Sequence, residues 1–117
     1  MHQKSENLEN ISDSTPFASS EEAWLWCCLC EQLKNIRAQN TQAHLKRPCE
    51  SADIIIALKT LQKEGKISQN HTRILTQYGL KQVPPHRNFG DSIKACFLWE
   101  EAMHFLNILL KKKGIVG

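Results

Sequence analysis

Three groups of residues in this chain have types and spacings that could do chemistry. The first is Cys27, Cys28 and Cys30, in which Cys27 and Cys30 have the C-x-x-C spacing of zinc ligands and dithiol redox centres. Zinc takes four ligands in a tetrahedron, and His44, Cys49 and Cys96 supply no second closely spaced pair. A redox dithiol sits at a helix N-terminus after a strand, whereas these cysteines lie inside a helical pattern. The favoured reading is therefore that they serve as small apolar side chains, with a metal or redox centre as the alternative. The second group, Glu101 and His104, has the Glu-x-x-His spacing of di-iron bundles, but such bundles need two copies and further glutamates, and only one copy is present. Neither group assigns a cofactor or a metal.

The third group carries the leading reading. Laid out at 100° per residue, the segment after Ser68 places His71, Ile74, Leu75 and Tyr78 on one side and Gln69, Asn70, Thr72, Arg73, Thr76 and Gln77 on the other. The polar side has no acid. Arg, Asn, Gln and Thr are the side chains that meet base edges and phosphates, and helix-turn-helix proteins present such a face to the major groove. The nucleic-acid-binding residues expected are Gln69, Asn70, Arg73, Thr76 and Gln77 for bases or shape, with Lys59, Lys63, Lys66, Arg73 and Lys81 for phosphate. The partner is DNA or RNA. One departure stands out: the usual pattern wants an apolar residue six positions after the turn glycine, where this chain has His71.

The elements that must position that face are legible as helix, glycine turn, helix. Ile54, Ala57, Leu58 and Leu61 form a core-facing stripe, Gly65 supplies a left-handed stop, and Ser68 can cap a second helix that Gly79 would end. Before this unit, Ser19 and Glu22 have capping-box spacing for a first helix with its stripe at Leu25, Trp26, Leu29, Leu33 and Ile36, fading near Gln39. The loop from Asn40 to Glu50 follows, with Lys46 and Arg47 available to phosphate or water. After Gly79, Pro84 and Pro85 make an extended link to a long C-terminal helix over about Asp91 to Lys113. Its broad apolar face is Ala95, Leu98, Trp99, Ala102, Leu106, Leu109 and Leu110, and Gly114 closes it. The fold class expected is all-α: a compact four-helix domain over residues 19–117 with a central helix-turn-helix-like pair, preceded by a flexible tail over 1–18.

Composition agrees. Apolar residues make up 41% and charged residues 23% of 117, which suits one globular domain, and mean hydropathy of -0.42 with no long apolar run excludes a membrane span. No secretory leader is seen, and five cysteines read as reduced thiols of a cytoplasmic protein. Within 1–18, Lys4 faces Glu6, Glu9 and Asp13, a net −2, which leaves +5 of the overall +3 on the remainder and favours a polyanion mildly. Phosphate loops, nucleophile elbows and zincin motifs are absent, so a non-enzymatic role is expected. The runner-up is a protein-interaction adaptor whose contact patch is Trp24, Ile55 and Ile56, and the Trp and Ile side chains off the stripes also point to a homodimer.

The segments FASSEEAWLW at 17–26, RPCESADI at 47–54, YGLKQVPP at 78–85, LWEEAM at 98–103 and KKGIV at 112–116 give the chain a resemblance. It resembles a group of small alphaproteobacterial proteins, rickettsia-like bacteria among them, that have no established activity. The resemblance implies a bacterial cytoplasmic protein and carries no site residues across. The Leu61–Gly79 unit is also similar to helical modules of phage antiterminators and sigma factors.

Overall fold

The first helix begins where its sequence can satisfy free backbone donors. In the computed structural model, which describes residues 15–36 and 47–117, α1 spans Ser20–Ile36. Ser19 Oγ accepts from the Glu22 N–H at 3.2 Å, as the spacing predicts. The reciprocal bond falls one residue early, because Glu22 Oε1 accepts from the Ala18 N–H at 2.8 Å. The apolar stripe of α1 is reversed from expectation. Ala23, Trp24, Cys27 and Cys28 are buried, while Leu25, Trp26 and Leu33 are half-buried and Leu29 is exposed. Both faces of this helix are apolar, so periodicity alone could not choose between them. The buried face combines Trp24 with the small Ala23, Cys27 and Cys28, and a second helix approaches it closely where it presents a glycine to Cys28 and Trp24.

That second helix is the one over Gln69–Lys81. α2 spans Ser51–Lys63 and α3 spans Gln69–Lys81. Ile54, Ala57, Leu58 and Leu61 of α2 are buried, as their spacing requires. Glu50 caps α2, its own N–H donating to Asp53 Oδ2 at 2.8 Å. Gly65 turns the chain at φ 78, and Ile67 buries its side chain in the turn. Ser68 caps α3 as expected, but α3 does not stop at Gly79; it runs on to Lys81, and Gln82 takes the left-handed cap at φ 63. Gly79 has a different task. A Cβ there would run into Cys28 Sγ and stand 2.9 Å from Trp24 Nε1, so its absence is what lets α1 and α3 close up. The Trp24 indole seals the contact by donating to the Leu75 carbonyl at 2.9 Å.

After the proline link and a short 3-10 turn, Arg87–Phe89, comes α4 over Ile93–Lys112, capped by Ser92, whose Oγ accepts from the Ala95 N–H at 3.0 Å. The buried face of α4 is Ala95, Trp99, Ala102, Met103, Leu106 and Leu110, with Leu98 and Leu109 at its margins. α1 and α4 pack together, and α2 and α3 each pack on both of them while barely touching each other. Gly114 reverses the chain at φ 78, and Ile115 and Val116 fold back into the core. There they meet Phe17, which was expected in the tail and is instead fully buried in an isolated parallel bridge with Val116. Apart from that bridge the described residues form no β structure; the expectations for residues 1–14 and 37–46, His44 and Lys46 included, lie outside them.

Candidate nucleic-acid interface

The outward face of α3 is built as its sequence implies. Gln69, Asn70, Arg73, Thr76 and Gln77 are exposed, and no acid lies on the helix. Arg73 Nη1 donates to Asn70 Oδ1 at 3.1 Å, which orients the guanidinium along the helix. Beneath them, His71 occupies the position where an apolar residue was wanted, and the geometry explains how. Its Nδ1 accepts from the Ser68 N–H at 2.9 Å, so the proton sits on Nε2, which meets Glu101 Oε1 at 2.7 Å. The buried imidazole has both nitrogens satisfied and ties the start of α3 to the middle of α4. Glu101 is thereby accounted for, while His104 is exposed on another side of α4.

The other cations divide among several places. Lys59 and Lys63 are exposed on the outer side of α2, next to Ile56, Thr60 and Gln62. This surface lines a different pocket from Arg73. Near the turn the helices are linked by Gln62 Nε2 donating to Thr72 Oγ1 at 2.6 Å. Lys66, also in the turn, pairs with Glu64 at 3.4 Å. Lys81 lies over the Tyr78 ring, 5.0 Å from its centroid. Arg47, read as available to phosphate or water, is neither. Its guanidinium lies 4.2 Å over the Phe17 ring, donates to the Thr15 carbonyl at 3.1 Å and meets Glu22 at 3.4 Å.

The structure adds a cation that periodicity missed. Asn70, Arg73 and Ile74 of α3 and Ser92, Lys94, Ala95 and Leu98 of α4 line a groove of about 180 Å³. Lys94 thus lines the same groove as Arg73, and α4, like α3, has no acid in its first turn. Nothing in the local pattern of α3 could point to a lysine 21 residues away on another helix.

The remaining candidates resolve as packing. Trp24 is 5% exposed, so it contributes nothing to a contact patch with Ile55, half-buried, and Ile56, 54% exposed. All five cysteines are free thiols. Burial, reinforced by neighbouring thiols and Glu31, pushes Cys27 up to about 12, and burial likewise pushes Cys28 and Cys49 up to about 11. Thiols held protonated in this way are poor nucleophiles at neutral pH. Among the described residues no group of three or more His, Cys, Asp or Glu is placed to hold a metal ion.

Set against known proteins, the chain matches no protein-family model, no curated protein and no solved structure. The same described residues include no helix long and apolar enough to cross a membrane.

Proposed function

We propose that the protein binds nucleic acid through α3, as a small regulatory or accessory factor. The observation that carries this reading is the acid-free outer face of α3, joined across a groove by a second cation, Lys94. On this reading Arg73 and Lys94 hold phosphates on either wall of the groove, while Gln69, Asn70, Thr76 and Gln77 offer donors and acceptors to base edges. Lys66 and Lys81 add charge at the two ends of the helix, and Lys59 and Lys63 engage only a strand long enough to pass α2.

The test is fluorescence anisotropy of the reduced protein with mixed duplex DNA and RNA over a salt series. Binding is expected to weaken steeply with salt. Arg73→Ala with Lys94→Ala should lower the slope of log affinity against log salt by about 0.9 per phosphate contact removed. Both side chains are exposed, so thermal unfolding should be unchanged. Lys59→Ala with Lys63→Ala should matter less. Salt-dependent binding that survives loss of Arg73 and Lys94 would mean that α3 is not the contact surface. In the adaptor reading, reduced to Ile55 and Ile56, partner binding would resist salt and fail on Ile56→Asp.

A further inference from the structure

The Arg73–Lys94 groove is small for what it is proposed to hold. At about 180 Å³ it falls short of the ~300 Å³ at the lower end of ligand pockets. A whole nucleotide is larger than that. With a phosphate drawn to the two cations, the base of the same nucleotide lies against whatever α3 or α4 exposes beside the groove. On the α3 side this surface is polar and suits base edges. On the α4 side it is aromatic. Phe97 follows Lys94 by three residues, a spacing that makes the two side chains neighbours on the helix with Cβ atoms ~5–6 Å apart. Its side chain is 59% exposed, and Ile93, four residues before it and 69% exposed, extends the same apolar strip. The acids one turn further on are directed elsewhere: Glu101 is taken up by the His71 imidazole at 2.7 Å, and Glu100 lines a separate hollow with His86 and Arg87.

We infer that the ligand of this groove is a single strand, with one base stacked on the Phe97 ring and its phosphate held by Arg73 and Lys94. This rests on the nucleic-acid reading above and narrows its ligand class. In a duplex the faces of each base are covered by its neighbours, so only edges are offered to the protein. A single strand can turn a base outward onto an aromatic ring, and single-strand binders combine cations that track the backbone with such stacking platforms. An exposed phenylalanine one helical neighbour away from a phosphate-holding lysine is that combination. Stacking reads the face of a base and not its edge, so Phe97 adds affinity without sequence preference, and any preference comes from Gln69, Asn70, Thr76 and Gln77.

The experiment is fluorescence anisotropy of the reduced full chain with labelled single strands of RNA and of DNA, about 12 nucleotides long and of mixed sequence, against the duplexes of the same sequences. Single strands are expected to bind about tenfold or more tighter than duplexes at the same salt. Phe97→Ala should weaken single-strand binding by about 5- to 100-fold, the worth of one stacked base, and leave duplex binding alone. Its salt slope should be that of the parent, because no charge is removed, whereas Arg73→Ala with Lys94→Ala lowers the slope. Phe97→Tyr keeps the ring and should keep the affinity, while Phe97→Leu keeps an apolar side chain without a ring and should lose nearly as much as Phe97→Ala. The side chain is exposed, so thermal unfolding should be unchanged in all three. No salt-dependent binding to any strand would remove the nucleic-acid reading and this inference with it. Binding that depends on Arg73 and Lys94 but is equal for duplex and single strand, or is indifferent to Phe97→Ala, or survives in Phe97→Leu as well as in Phe97→Tyr, would overturn the single-strand inference alone and leave that reading standing.

Discussion

Gly79 shows how one missing side chain can set the distance between two helices. Alanine is about 1 kcal/mol better than glycine inside a helix, so Gly79→Ala would stabilise α3 if it were alone. Here the new methyl meets Cys28 Sγ and the Trp24 indole, and Trp24 cannot retreat without breaking its bond to the Leu75 carbonyl. Overpacking of this kind costs about 1–3 kcal/mol. Net destabilisation of up to about 2 kcal/mol is expected, read as a lowered Tm, and Cys28→Ala in the same chain should recover part of it. The cysteines also predict an alkaline limit. In the folded protein Cys27 keeps its proton up to about 12, whereas an unfolded thiol releases it near 9.0. Between those values the unfolded chain binds fewer protons, so stability is intact below pH 9 and falls as pH rises through the window. Thermal melts across that range should show a decline that is shallower in Cys27→Ala.

At the scale of the elements, Ser68 joins the turn after α2 to the first turn of α3. Ser68 Oγ accepts from the His71 N–H at 3.5 Å and approaches His71 Nδ1 at 2.9 Å. Ser68→Ala removes both and is expected to cost about 1 kcal/mol, the usual worth of an N-cap. Because no residue of the proposed α3 face changes, nucleic-acid affinity should stay the same once the chain is folded, which separates stability from recognition. The parts of the fold legible in the sequence are those set by neighbours in the chain. The α2 stripe, the Gly65 turn, the Ser68 cap and the Gly114 reversal are all decided within a few residues. What was not legible depends on which elements meet. α1 carries leucines on one face and Ala23, Trp24, Cys27 and Cys28 on the other, and the close approach of Gly79 to Trp24 and Cys28, a contact between distant residues, goes with burial of the second face. The His71–Glu101 pair and the Arg73–Lys94 groove likewise join helices distant in sequence, and no local spacing announces them.

Across the whole molecule, the described start of the chain is tied to its C-terminal end. The Phe17 N–H donates to the Ile115 carbonyl and the Gly117 N–H to the Phe17 carbonyl, both at 2.9 Å. Phe17 itself is wedged between Trp26, ring centroids 5.1 Å apart, and the Arg47 guanidinium. Arg47 in turn precedes α2, so this single side chain joins α1, the entry to α2 and the residues after α4. Phe17→Ala should therefore cost about 3–5 kcal/mol, as for other buried aromatics. Val116→Ala deletes less volume but acts on the same contact. The two changes share partners, so their effects should not add: a double-mutant cycle by denaturant unfolding is expected to show a coupling of about 1 kcal/mol. Strict additivity would mean that the bridge is incidental and that Phe17 fills its pocket independently of the C-terminal residues. Coupling of the expected size would make the closed pair of ends a structural unit, one that sets the position of α4 and with it one wall of the Arg73–Lys94 groove.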